Sequence, residues 1–188
     1  MIGVAIGGSA GALDAVHDIL GELPPTVAAA FLVVIHISPT AESLLSHVVG
    51  AYTDMAVVEA VDKLPLASRT VYVAPPDYHM LVERDGTIAL SRDRVEHFSR
   101  PAIDPLFDSI AHAWGPKSIG VLLSGSNADG ARGLAAMHAA GAKTLVQDPD
   151  TATSREMPRA AIELFKPDLV ASPKGIGRWL ASHLGGLR

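Results

Sequence analysis

The stretch Val27 to Ile35 is apolar without interruption and ends at His36. At about half of the roughly 20 residues that cross a bilayer as a helix, it is too short to span one. Its β-branched residues, with Pro24-Pro25 just before it, read as a strand. A strand with no polar alternation is buried on both faces, the condition of a parallel sheet covered by helices. Ile2 to Ile6 is a similar run closed by Gly7-Gly8, and Ala12, Val16, Ile19, Leu20 and Leu23 follow at helical spacing. Strand, turn, helix and strand make a βαβ unit, and the fold class is α/β.

The alternation continues down the chain. Glu42 to Gly50 predicts a helix, Val57-Val58 a short strand, and Thr70 to Ala74 a strand closed by Pro75-Pro76. Pro105 to Trp114 predicts a helix, Ile119 to Leu123 a strand, and Ala131 to Ala140 a helix closed by Gly141. Lys143 to Val146, a helix over Met157 to Leu164 and a short strand near Leu169-Val170 complete the series. One insert breaks the pattern: Met80 to Glu83 and Thr87 to Leu90 flank Arg84-Asp85-Gly86, where Asp-Gly signals an antiparallel hairpin. No composition shift or repeat divides residues 1–188, so a single domain is expected.

Composition narrows the function classes. With 188 residues, 48% of them hydrophobic, and no cysteine, the chain can bury a core without disulfides. A net charge of -5 from 20 acidic and 15 basic residues, with no run of like charge, disfavours nucleic acid and membrane surfaces as partners. No basic segment precedes the first apolar run, so no secretory signal is read and a cytoplasmic location is expected.

In open α/β sheets functional groups collect where loops leave the carboxyl ends of the strands. Three such loops stand out. Gly7-Gly8-Ser9-Ala10-Gly11 fits G-x-S-x-G between a strand and a helix, a turn that exposes a serine hydroxyl beside backbone N–H groups. A glycine turn that only packs helix on strand, or one that cradles a phosphate, fits the same residues. His36-Ile37-Ser38-Pro39 follows the strongest strand and sets a histidine at the crevice, as a base or as a hydrogen-bonded strand end. Ser124-Gly125-Ser126-Asn127-Ala128-Asp129-Gly130 supplies a carboxylate, which is equally suited to cap the following helix.

Together the three loops say more than each alone. A serine hydroxyl needs a base within reach, and the imidazole needs a carboxylate to fix its tautomer and stabilise its charged form. Ser9, His36 and Asp129 supply the three types from three strand ends. Their chain order, Ser, His, Asp, differs from that of α/β-hydrolases, where the acid precedes the histidine.

At these residues the chain resembles the catalytic domain of the CheB-type chemoreceptor methylesterases. The resemblance runs over nearly the whole length: Ile6 to Gly11, Val34 to Pro39, Val73 to His79, Arg100 to Phe107, Leu122 to Gly133, Gln147-Asp148-Pro149 and Met157 to Ile162. It implies a doubly wound, mostly parallel, Rossmann-like sheet with helices on both faces and an antiparallel hairpin near one edge. It implies Ser9 as nucleophile, His36 as general base and then acid, Asp129 as the orienting carboxylate, and backbone N–H groups of Ala10 and Ser126 as the oxyanion hole. The implied substrate is a glutamate methyl ester on a chemoreceptor cytoplasmic domain or another glutamyl-methylated protein, with no cofactor, and whether glutamine is deamidated as well is left open. Two loops depart from the family pattern: Ser9-Ala10-Gly11-Ala12 stands where Ser-Thr-Gly-Gly is common, and Gly125 to Gly130 lacks the usual methionine. Many members also carry an amino-terminal receiver domain, whereas here the first strand begins at Ile2, so none is expected.

Rival readings are poorer fits. A dinucleotide site wants G-x-G-x-x-G and an acidic residue ending the second strand, where this chain has His36. Histidines 17, 36, 47, 79, 97, 112, 138 and 183 show no i, i+4 ligand spacing, so no metal is expected. His79 suits a hairpin anchor better than a crevice residue, and Phe107, Trp114 and Trp179 suit the core. The alternative from another class is a non-catalytic module of this fold that docks on a receptor or signalling partner.

Overall fold

The structure is a computed structural model describing residues 2–38, 40 and 43–185. Seven strands form one sheet: β1 (Ile2–Gly8), β2 (Ala29–Ile35), β3 (Ala56–Glu59), β4 (Thr70–Val73), β7 (Ser118–Leu122), β8 (Lys143–Gln147) and β9 (Leu169–Ala171). Their order is β3-β4-β2-β1-β7-β8-β9, and every neighbouring pair is parallel. The chain passes from β1 to β2 on one side and returns later to β7 on the other, so the carboxyl end of β1 lies at a topological switch point.

Alternation along the buried strands sorts side chains to the two faces. Val4, Ile6, Phe31, Val33, Ile35, Val121 and Leu145 pack under α1 (Ala12–Gly21), α2 (Leu45–Gly50) and α6 (Pro173–Gly185). Ala5, Leu32, Val34, Leu122 and Val146 pack under α3 (Ile103–Ala113), α4 (Ala131–Ala139) and α5 (Glu156–Leu164). The doubly wound α/β fold is the one expected. The hairpin, β5 (His79–Val82) and β6 (Ile88–Ser91), makes a separate two-stranded sheet whose Met80, Val82 and Ile88 belong to the α3 side of the core. Ile88 exchanges backbone hydrogen bonds with Lys63 and Leu64, in the segment that leaves edge strand β3.

Boundaries differ from expectation in instructive places. β1 continues through Gly7 and Gly8, and the positive φ of 77° falls at Gly11, so the turn begins one step later than the glycine pair suggests. α3 starts at Ile103, two residues before Pro105, because proline is tolerated in a helix's first turn. α6 was not anticipated. Its Gly175 and Gly177 weaken the helical signal, yet Ile176, Leu180 and Leu184 form a buried stripe, and a Cβ on Gly177 would lie 2.8 Å from the Ile19 carbonyl of α1. Close approach of α1 and α6 accounts for that glycine. The Glu42 end of the helix expected over Glu42 to Gly50 lies outside the described residues, as does Pro39.

Candidate active site

The sheet register brings the three candidate loops level. Gly8 pairs with Ile35 and Gly7 with Leu122, so residue 9, residue 36 and the loop after Leu123 emerge side by side. Backbone hydrogen bonds extend the ladder past the strands: His36 N–H donates to the Gly8 carbonyl at 3.2 Å and Ser9 N–H to the Ser124 carbonyl at 2.9 Å. Ser9 is half-buried and Ala10 exposed.

His36 Nε2 and Asp129 Oδ2 lie 2.7 Å apart across 93 residues of sequence. The Asp129 side chain is fully buried and that of His36 is 10% exposed, so the pair is sheltered from water. Asp129 accepts two further hydrogen bonds, from Ile103 N at 2.7 Å and Asp104 N at 2.9 Å. These are the first N–H groups of α3, whose own preceding residue Ala102 offers no cap. Asp129 therefore caps α3, while its own helix α4 begins at Gly130 with no side-chain cap. Burial alone would raise the Asp129 carboxyl, but the His36 hydrogen bond and the two N–H groups outweigh it and hold the group below its usual range.

With Asp129 ionised, Nε2 carries the imidazole proton and Nδ1 is left with its lone pair. Among the described residues Ser9 Oγ makes no hydrogen bond to His36; such bonds commonly tighten only when substrate is present. The N–H groups of Ala10 and Ser126 have no hydrogen-bond partner among the described residues, and Ser126 is exposed.

A second carboxylate mirrors the first. Asp104, in the first turn of α3, accepts from Gly133 N of α4 at 2.7 Å, so the two helices exchange caps. Its Oδ2 is buried with no hydrogen bond, 3.4 Å from Arg132 Nε and 3.6 Å from His97 Nε2. Burial pushes this carboxyl up; the Gly133 N–H and the Arg132 charge oppose the shift, and the Asp129 charge adds to it. His97, Asp104 and Asp129 place possible metal-ligating atoms within 4.8 Å of one another, but Arg132 and two helix N-termini already supply positive charge there.

Sequence reasoning missed Asp104 and Ser124, although both fall inside segments that carried the family resemblance. Their signals were weak: an aspartate in a helix's first turn and a serine in a loop are common for other reasons. His79 is buried and bonds Arg94 O at 3.0 Å and Ala102 N at 3.2 Å, tying the hairpin to the segment that enters α3. Phe107 is buried in the core, Trp114 packs over Gly3 half-buried, and Trp179 stacks on His183 at 4.6 Å.

Comparisons with known proteins bear on the family and the fold. A family model described as CheB methylesterase matches residues 4–180. A relative from Leptospira interrogans is 39% identical over 169 residues, which are 90% of this chain and 88% of that protein. A Symbiobacterium thermophilum protein named protein-glutamate methylesterase/protein-glutamine glutaminase is 38% identical over 86% of this chain and 44% of its own length. A Hahella chejuensis protein of the same name, numbered 1, is 36% identical over 97% of this chain and 52% of its own. The chain thus spans about half the length of these two relatives. The crystal structure of the Thermotoga maritima CheB methylesterase catalytic domain superposes with a TM-score of 0.91 at 28% identity, covering 97% of this chain and 98% of that one. By family model, sequence and fold, this chain belongs to the CheB methylesterase family.

Proposed function

We propose that this chain is a serine hydrolase that removes methyl groups from glutamate methyl esters of a chemoreceptor cytoplasmic domain, acting in the cytoplasm. Ser9 is the nucleophile, His36 the base and then the acid, and Asp129 the carboxylate that orients the imidazole and stabilises its charged form. The observation that carries the reading is the sheltered 2.7 Å contact between His36 Nε2 and Asp129 Oδ2, beside the strand end that bears Ser9. The protein glutamate ester comes from the names of the relatives, and the chemoreceptor from the family resemblance.

In the first half-reaction His36 Nδ1 takes the Ser9 hydroxyl proton as Oγ bonds to the ester carbonyl carbon. The carbonyl oxygen becomes an oxyanion and meets the Ala10 and Ser126 N–H groups. The C–O bond to the methoxy group then breaks, and the imidazolium returns its proton to leave methanol and a glutamyl-Ser9 ester. Water repeats the sequence, giving glutamate and free Ser9. A glutamine amide follows the same course with ammonia as the leaving group, consistent with the second half of the relatives' names. No step calls for a cofactor.

Covalent trapping tests the roles. A serine-directed fluorophosphonate should add its mass at Ser9 in the wild-type chain, not at all in Ser9→Ala, and at least tenfold more slowly in His36→Gln. Equal labelling of wild type and Ser9→Ala would remove Ser9 from the site.

A further inference from the structure

Ser124 touches the nucleophile turn from two sides. Its carbonyl accepts the Ser9 N–H at 2.9 Å, and its hydroxyl donates to the Ala10 carbonyl at 2.6 Å. The same hydroxyl accepts the Ser154 N–H at 2.9 Å, and Gly125 N–H donates to the Ser154 carbonyl at 3.2 Å. Ser124 N–H in turn donates to Gln147 Oε1 at 2.9 Å, and Gln147 Nε2 donates to the Thr151 carbonyl at 3.1 Å. Ser124 and Gln147 are both at most 2% exposed. A buried hydroxyl that satisfies one donor and one acceptor from two different loops is a fixed joint, because losing it strands both partners away from water.

The consequence falls on the peptide groups around Ser9. The Ser9 N–H is spent on Ser124 and is unavailable to an oxyanion, whereas the Ala10 N–H is free among the described residues. Turning the Ala10 carbonyl inward onto Ser124 Oγ fixes the plane of the Ala10–Gly11 peptide and limits how the turn at Gly11, with φ of 77°, can relax. Thr153, on the same loop as Ser154, fills the space that a Cβ on Gly11 would occupy.

We propose that Ser124 is a positioning residue for the reaction: through Ala10 and Ser9 it holds the nucleophile and the oxyanion donor in register, and Gln147 holds Ser124. Ser124 touches no reacting atom in this scheme. The proposal rests on Ser9 being the nucleophile, and it adds that turnover depends on a hydroxyl in the loop that leaves the neighbouring strand β7.

Steady-state hydrolysis of a methylated receptor domain, with fluorophosphonate labelling alongside, tests it in wild type, Ser124→Ala and Ser124→Thr. Each is assayed where circular dichroism shows it folded. Ser124→Ala should lower kcat about 10- to 100-fold with KM within about twofold, because misplacement rather than lost binding is the defect. Labelling should slow in parallel, and Ser124→Thr, which keeps the hydroxyl, should recover most of both. A kcat for folded Ser124→Ala within twofold of wild type, a loss confined to KM, or a Thr variant as impaired as the Ala variant would overturn the proposal. A wild-type chain that neither labels at Ser9 nor hydrolyses the ester would instead overturn the role of Ser9, and this one with it.

Discussion

At the scale of single residues, the site turns on two aspartates in opposite electrostatic situations. Asp129 is held below its usual range by His36 and two helix N–H groups that outweigh its burial. Its folded-state stability contribution is therefore present above the ordinary carboxylate range and is lost as pH falls through its depressed value. In the proposed mechanism Asp129→Asn removes the charge that supports the imidazolium, and kcat should fall about 10²- to 10⁴-fold by steady-state assay. A wild-type rate in that variant would exclude Asp129 from the chemistry. Asp104 is pushed up, chiefly by burial, so its ionised form is the unfavourable one in the folded chain. The cost is absent below the ordinary carboxylate range and is fully present once pH rises above the raised value. Asp104→Asn keeps an acceptor for Gly133 N–H while removing that charge. Its stability relative to wild type, measured by urea unfolding, should therefore increase from pH 4 to pH 8. A difference that does not change with pH would contradict the assignment.

At the scale of elements, the site is a junction of helix ends as well as strand ends. Asp129, just before α4, caps α3; Asp104, within α3, caps α4. The exchange needs the two helices close together, and Gly133 provides the room: a Cβ there would lie 2.7 Å from Phe107 Cβ and 3.0 Å from the Asp104 carbonyl. Gly133→Ala should therefore cost about 1–3 kcal/mol in urea unfolding and lower kcat as well, since the same shift disturbs the donors to Asp129. An unchanged unfolding midpoint would show that the helices have slack. Much of this level was legible in the sequence. Val27 to Ile35 announced β2, Asp85-Gly86 announced the hairpin, and three strand-end loops marked Ser9, His36 and Asp129 as candidates. The exchanged caps were not legible, because Asp129 before a helix suggests a cap on that helix, and only the tertiary packing redirects it to another. α6 was obscured by Gly175 and Gly177, which lower local helix propensity for the sake of packing on α1.

At the scale of the whole molecule, the strand order explains why residues 9, 36 and 129 emerge at the same end of the sheet. The chain leaves β1 for β2 on one side and comes back to β7 on the other, so the carboxyl end of β1 is the switch point at which open α/β sheets gather their functional loops. The net charge of -5 works against a glutamate-rich substrate at long range, leaving recognition to local contacts. Salt screens that repulsion, so kcat/KM on a receptor domain should rise as ionic strength increases from about 0.01 M to 0.15 M. A steep fall over the same range would indicate a steering patch that the overall charge does not reveal. Among the described residues no helix is long and apolar enough to cross a membrane. The most direct test is methanol release from a methylated chemoreceptor cytoplasmic domain at pH 7.5, comparing the wild-type chain with Ser9→Ala. Release by the wild type that disappears in the variant, with both equally folded, is the result expected of a serine methylesterase. No release by either folded protein would contradict that function and leave a docking module of the same fold.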